Sequence, residues 1–209
     1  DETGCYATTT QELIVNPIPT VLVGPAYEVC DDDYDGIGSY DLSTLDETLL
    51  DGQTGVSISY YESQEDADNA TNVLDVNYQN TVPDNQTLFV RLEIDETGCY
   101  ATTTQELIVN PIPTVLVGPA YEVCDDDYDG IGSYDLSTLD ETLLDGQTGV
   151  SISYYESQED ADNATNVLDV NYQNTVPDNQ TLFVRLEIDE TGCYATTTQE
   201  LIVHPLAVI

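Results

Sequence analysis

The sequence predicts an all-β protein: tandem immunoglobulin-like β-sandwich modules of about seven strands each, with short helical turns and one intramodule disulfide per module. Three observations predict it. The hexapeptide that begins at Asp1 returns at Asp95 and Asp189, and the copies agree at every position until His204 replaces Asn16 and Asn110. A period of 94 residues suits one small sandwich per repeat and is too long for a solenoid unit. Within each period, short alternating apolar runs are separated by Gly, Pro, Asn and Asp turn residues. The five cysteines, at positions 5, 30, 99, 124 and 193, are spaced as a repeating disulfide framework.

The elements follow in order over residues 17–110 and again over 111–204. Thr20–Val23 and Tyr27–Cys30 flank a Gly-Pro turn and read as the first two strands. Ile37–Leu42 reads as the third. The stretch from Ser43 to Leu50 carries a helix-capping pattern and one or two helical turns. Val56–Tyr61 alternates well and reads as a fourth strand, and Glu62–Asn69 is again locally helical. Val73–Tyr78 is a weak fifth strand. Thr87–Ile94 is a strong sixth, with Leu88, Val90, Leu92 and Ile94 on one face, and Cys99–Val109 is a long seventh. Asn16-Pro-Ile-Pro-Thr, repeated at Asn110, has the two prolines of a short stiff linker. Residues 1–16 then read as the last strand of a preceding module and 205–209 as the start of a further, diverged one, so the chain is expected to be cut from a longer array.

Charge narrows the partners. There are 41 Asp and Glu against two Arg and no Lys, a formal net charge of −39. Nothing in that surface neutralises nucleic-acid phosphates or an anionic membrane. No apolar run approaches the ~20 residues of a transmembrane helix, so direct membrane insertion is not expected. A fold this acidic repels itself and leans on salt or divalent cations for compactness, which points to a saline or calcium-rich exterior.

The stretch Cys-Asp-Asp-Asp-Tyr-Asp-Gly-Ile-Gly-Ser-Tyr-Asp-Leu, at 30–42 and 124–136, concentrates the candidate chemistry. Asp31, Asp33 and Asp35 stand at alternate positions before Gly36, the opening of many calcium loops, in which carboxylates converge on one ion and glycine permits the sharp turn. An EF-hand needs a bidentate Glu at loop position 12, where Leu42 stands, so this is at best a calcium loop feeding a strand. The full set of expected Ca²⁺ ligands is Asp31, Asp33, Asp35, Asp41 and Asp95, with Asp125, Asp127, Asp129, Asp135 and Asp189 in the second copy. The alternative is a solvated acidic turn.

Two regular cysteine pairings exist: across a linker (5–30, 99–124) or within a module (30–99, 124–193). If the second strand ends and the last begins at the N-terminal end of the sandwich, Cys30 and Cys99 lie together. Cys5 stands at the far end of the preceding last strand, about 36 Å from the linker, whereas a disulfide needs Cα atoms within about 7 Å. The sequence therefore predicts Cys30–Cys99 and Cys124–Cys193, each stabilising its module by roughly 4 kcal/mol on the chain-entropy model. Disulfides also place the chain outside the cytosol.

Catalysis finds no support. The lone histidine, His204, lies at a module edge, and without Lys no activated nucleophile has a base. Carboxylate pairs are too common here to mark a glycosidase. Arg91 and Arg185 are expected to pair with local carboxylates or Tyr rings. Tyr60-Tyr61 and Tyr154-Tyr155 put one ring in the core and one out, so Tyr61 and Tyr155 are the possible contacts for a glycan or another surface. Asn69-Ala-Thr and Asn85-Gln-Thr match the N-glycosylation acceptor pattern.

Four segments in this order (the acidic stretch at 30–42, then Ile-Ser-Tyr-Tyr-Glu-Ser-Gln-Glu-Asp-Ala, Leu-Phe-Val-Arg-Leu-Glu and Thr-Gly-Cys-Tyr) resemble tandem modules of very large flavobacterial (Bacteroidota) surface proteins. That group includes gliding-motility adhesins exported by the type IX secretion pathway. The resemblance implies an extracellular, cell-surface Ig-like module, repeated along a stalk or filament that extends a distal binding region. Its implied partners are neighbouring modules of the same chain, with lateral self-association into filaments as a further option.

Overall fold

The computed structural model describes residues 4–206. The first copy runs β1 (Tyr27–Cys30), β2 (Ser39–Asp41), a 3-10 turn (Leu42–Leu45), α1 (Asp46–Leu50), β3 (Val56–Tyr61), α2 (Gln64–Asn69), β4 (Asn77–Gln79), β5 (Asn85–Ile94) and β6 (Tyr100–Asn110). The second repeats it: β7 (Tyr121–Cys124), β8 (Ser133–Asp135), a 3-10 turn (Leu136–Leu139), α3 (Asp140–Leu144), β9 (Val150–Tyr155), α4 (Gln158–Asn163), β10 (Asn171–Gln173), β11 (Asn179–Ile188) and β12 (Tyr194–His204).

Each copy forms a four-stranded sheet, β1-β6-β5-β3 or β7-β12-β11-β9, and a two-stranded one, β2-β4 or β8-β10. The long hairpin β11–β12 is antiparallel, and β9 adds antiparallel to its β11 side. On the other side β7 runs parallel to the end of β12, from Leu201 opposite Tyr121 to His204 opposite Cys124. Two compact units result. One holds Ser39–Asn80, Asn85–Ile108 and the described residues up to Tyr27; the other holds the described residues from Val109 onward with Glu28–Gly38 and Thr81–Asp84.

The core follows from the period-2 pattern of the strands. Leu182, Val184 and Leu186 of β11 and Leu201 of β12 turn one face toward Tyr134 of β8, Tyr172 of β10, and Leu136 and Leu143 of the intervening turn and helix. The leucines are fully buried, and each contributes roughly 2 kcal/mol of burial free energy. The corresponding Leu88, Val90, Leu92 and Leu107 are fully buried in the first copy. Leu88, Val90 and Leu92 therefore form the expected inward face of the sixth strand, with Ile94 half-buried at its end, and the protein is mostly β in two repeated sandwich-like units.

Two local expectations change, and one holds. Residues 20–23 are not a strand: Gln53 takes the backbone of Thr20 instead, its Oε1 accepting the Thr20 N–H at 2.9 Å and its Nε2 donating to the Thr20 carbonyl at 2.8 Å. The helical turn after β2 is capped by Asp41, whose Oδ1 accepts from the Ser43 N–H and hydroxyl, rather than by Ser43. The helix α2 is capped by Ser63, which accepts from the Asp66 N–H, and it ends on Ala70 in the left-handed region at φ 52°.

Candidate functional site: a disulfide between successive copies

The acidic stretch at 30–36 is a loop locked from within. Asp31 is the lock: Oδ1 accepts the N–H groups of Asp33 (3.2 Å) and Tyr34 (3.0 Å), and Oδ2 accepts that of Gly36 (3.0 Å). Burial alone would raise the Asp31 carboxyl, but these bonds, with one from Asp35, hold it below its ordinary value. The Asp33 carboxyl moves the other way, raised by burial and by the charge of Asp35 beside it. Tyr34 and Gly36 take positive φ, 69° and 74°, to close the turn. Only glycine fits at 36, because a Cβ there would lie 2.6 Å from the Asp84 carboxylate and 3.0 Å from its backbone nitrogen.

The loop stands at the C-terminal end of β6, since β1 adds beside the last residues of that strand and the Asp31 N–H donates to the Asn110 carbonyl at 2.8 Å. Cys99 precedes the opposite end of β6, eleven residues or about 36 Å away at ~3.3 Å per residue. The within-module pairing Cys30–Cys99 is therefore wrong, and Cys124–Cys193 fails for the same reason. The error lay in strand direction: the strand that ends in Cys30 is parallel to the last strand, not antiparallel. The bond that forms is Cys30–Cys193, with Cα atoms 5.5 Å apart and a sequence separation of 163. It joins the loop of the first copy to the turn between β11 and β12 of the second. Both ends belong to the second compact unit, where the Tyr34 hydroxyl also donates to the Pro113 carbonyl at 2.8 Å. Cys5, Cys99 and Cys124 are free thiols.

The expected calcium ligands separate. Ligand atoms of Asp31, Asp33 and Asp35 lie within 4.8 Å of one another, and so do those of Asp125, Asp126 and Asp127. Asp129 lies outside the second cluster and accepts the Ile131 N–H, as Asp35 accepts that of Ile37. Asp41 and Asp135 cap their helical turns. Asp95 and Asp189 accept the hydroxyls of Ser57 and Ser151 at the far end of the long strands. An all-oxygen, triply charged set suits a hard cation; Asp31 has already committed both oxygens to the backbone and Asp35 Oδ1 accepts the Ile37 N–H at 2.7 Å, which leaves Asp33 as the freest of the three ligands.

Tyr61 and Tyr155 are 1% exposed, so neither ring is available to a glycan or any other ligand. The sheet face expected to meet solvent is covered by α2 and α4, which pack on β3 and β5 and on β9 and β11. Arg185 explains that cover. Its Nε donates to Glu187 at 2.8 Å, its Nη1 to the α4 carbonyls of Ala161 and Asp162 at 3.0 and 3.2 Å, and its guanidinium lies 3.4 Å over the Tyr194 ring. Arg91 repeats this on Glu93, Ala67, Asp68 and Tyr100. Both cations thus pair with local carboxylates and Tyr rings, as expected; their service to a helix C-terminus was the unread part.

These features define a class: tandem Ig-like sandwich repeats in which a disulfide joins one copy to the next. The chain belongs to the Flavobacterium inter-domain disulphide bond domain family, matched over residues 26–113 and 120–207. No curated protein matches the sequence. Among solved structures, it is similar to Sidekick-1 immunoglobulin domains 1–4 (TM-score 0.24, 9% identity, 86% of this chain and 48% of that one). It is also similar to Drosophila N-cadherin EC1-3 (0.24, 12%, 74% and 57%) and to the endo-fucoidan hydrolase MfFcnA4 from glycoside hydrolase family 107 (0.23, 10%, 92% and 31%). The chain thus spans only part of each of these proteins. No helix among the described residues is long and apolar enough to cross a membrane.

Proposed function

We propose that this chain is a non-enzymatic structural repeat of a secreted flavobacterial surface protein: a length of stalk or filament that holds a distal binding region away from the cell. The observation that carries the reading is the Cys30–Cys193 bond, which converts two successive copies into one covalently closed piece. A bond of that kind serves a chain that bears load outside the cytosol, where disulfides persist. The surface protein is an adhesin exported by the type IX pathway, acting in attachment or gliding, and its modules contact their neighbours in the chain and bundle laterally. Calcium is the proposed structural ion of the loops, held by Asp33 and Asp35 with Asp31, and by Asp125 to Asp127. It supplies charge neutralisation where like carboxylates crowd.

Immunogold labelling of intact cells, with an antibody raised against this chain, tests the reading. Label is expected along threads outside the cell, and deletion of copies should shorten those threads and weaken attachment. Label confined to the cytoplasm, or turnover of a polysaccharide or peptide by the purified chain, would overturn it.

A further inference from the structure

In the second copy, backbone and side-chain groups converge on the amide of Gln180, which is buried on β11. Its Oε1 accepts two adjacent backbone N–H groups, those of Thr175 at 2.7 Å and Val176 at 3.1 Å. Its Nε2 donates to the Tyr172 hydroxyl at 2.8 Å, and that hydroxyl donates in turn to Glu156 Oε1 at 2.7 Å. The same Glu156 oxygen lies 3.3 Å from Thr175 Oγ1. Thr175 Oγ1 is 3.3 Å from Nε2 and 3.5 Å from Oε1, so it faces the amide between its two ends. Locking the turn from Thr175 to Gln180 needs only the two bonds to Oε1. It does not need a hydroxyl set against the amide with a carboxylate behind it.

We propose that Thr175 and Gln180 join in an internal ester, formed by the folded chain on itself. Thr175 Oγ1 is the nucleophile, and Glu156 is the base that takes its proton. The base is a carboxylate rather than His or Lys. The N–H groups of Thr175 and Val176 form an oxyanion hole for the amide oxygen as Cδ becomes tetrahedral. The Oγ1–Cδ bond forms, the Cδ–Nε2 bond breaks, and the proton held by Glu156 passes through the Tyr172 hydroxyl to Nε2. The products are one ester and one ammonia, with nothing oxidised or reduced, and the ammonia leaves for water as ammonium. Burial, and then its bond to Glu156, hold the Tyr172 phenol above its ordinary value, so it stays protonated as the relay requires. Alignment at contact distance lets this one hydroxyl outcompete bulk water for the amide. The step runs once per site and needs no external substrate. The ester ties the end of β10 to β11 and, unlike Cys30–Cys193, reductant does not open it. The first copy carries the same residue types at Thr81, Gln86, Glu62 and Tyr78; there Gln86 Nε2 donates to the Tyr78 hydroxyl at 2.8 Å and that hydroxyl to Glu62 at 2.7 Å.

Mass spectrometry of the folded, full chain tests the bond, because tryptic cleavage after Arg91 and Arg185 isolates residues 92–185. That piece should be lighter than its sequence by one ammonia. Backbone fragment ions between 175 and 180 should be missing from it until hydroxylamine opens the ester. Thr175→Val and Glu156→Gln should each return the piece to its sequence mass, whereas Thr175→Ser, which keeps a hydroxyl nucleophile, should retain the loss. The wild-type piece at its full sequence mass would overturn the proposal, whether or not the variants fold. So would an ammonia loss that survives Thr175→Val, since asparagine cyclisation also releases ammonia. Neither readout depends on where the protein resides, so failure here is separate from failure of the surface-stalk reading.

Discussion

Trypsin reads the disulfide directly, because the chain offers it only two sites, Arg91 and Arg185, and both lie inside the bridged interval. Digestion of the thiol-blocked, unreduced and unfolded chain yields the pieces 1–91, 92–185 and 186–209. With Cys30–Cys193 intact, the first and last stay joined, while 92–185, one full period, is released because its Cys99 and Cys124 are thiols. After a cut at only one Arg, nothing is released until reductant is added. The energetic counterpart is large. Closing a loop of 163 residues restricts the unfolded chain by about 17 cal/mol/K, or about 5 kcal/mol at 25 °C on the chain-entropy model. Replacing both Cys30 and Cys193 by serine should lower the unfolding free energy in guanidinium denaturation by a margin that approaches this value. Mass spectrometry of the unreduced digest decides the matter. Pairing within modules would hold all three pieces together, and a single covalent species after complete cleavage would refute the parallel placement of β1 beside β6.

Four further outcomes follow from particular contacts. Arg91→Ala should cost roughly 2–4 kcal/mol in chemical denaturation, as two helix-end carbonyls lose their donor and the Tyr100 ring its cation. Gly36→Ala should cost roughly 2 kcal/mol or more, because φ is 74° and the new Cβ meets the Asp84 backbone. Burial, and then the charge of Tyr27, push the Tyr40 phenol from 10.0 up to about 12, so the stability it contributes is complete below pH 10 and lost as pH rises through 12; its tyrosinate absorbance should appear only as the protein unfolds. Calcium should raise the melting temperature relative to chelator at matched ionic strength, and Asp33→Asn with Asp35→Asn should remove the first-copy share; identical curves would leave the loop an acidic turn.

Local order was legible in the residues alone. Val56–Tyr61 alternates and is β3 residue for residue, and the polar run at Glu62–Asn69 became α2 from Gln64 because Ser63 stands three places before Asp66 as a cap. Those signals act over a few residues, so a sequence carries them whole. The exact repeat likewise carried the tandem organisation. Tertiary structure alone decided the rest. Whether β1 runs parallel or antiparallel to β6 is a choice between segments some 70 residues apart, and it moves Cys30 from one end of the sandwich to the other. Tyr61 alternates like a surface residue, yet Arg91 draws α2 across its face and buries it. Asp41 and Asp95 look like loop carboxylates in the sequence, but a helix cap and a serine hydroxyl claim them first. In each case the deciding partner is distant along the chain or competes locally for the same lone pairs, and only folding shows which contact wins.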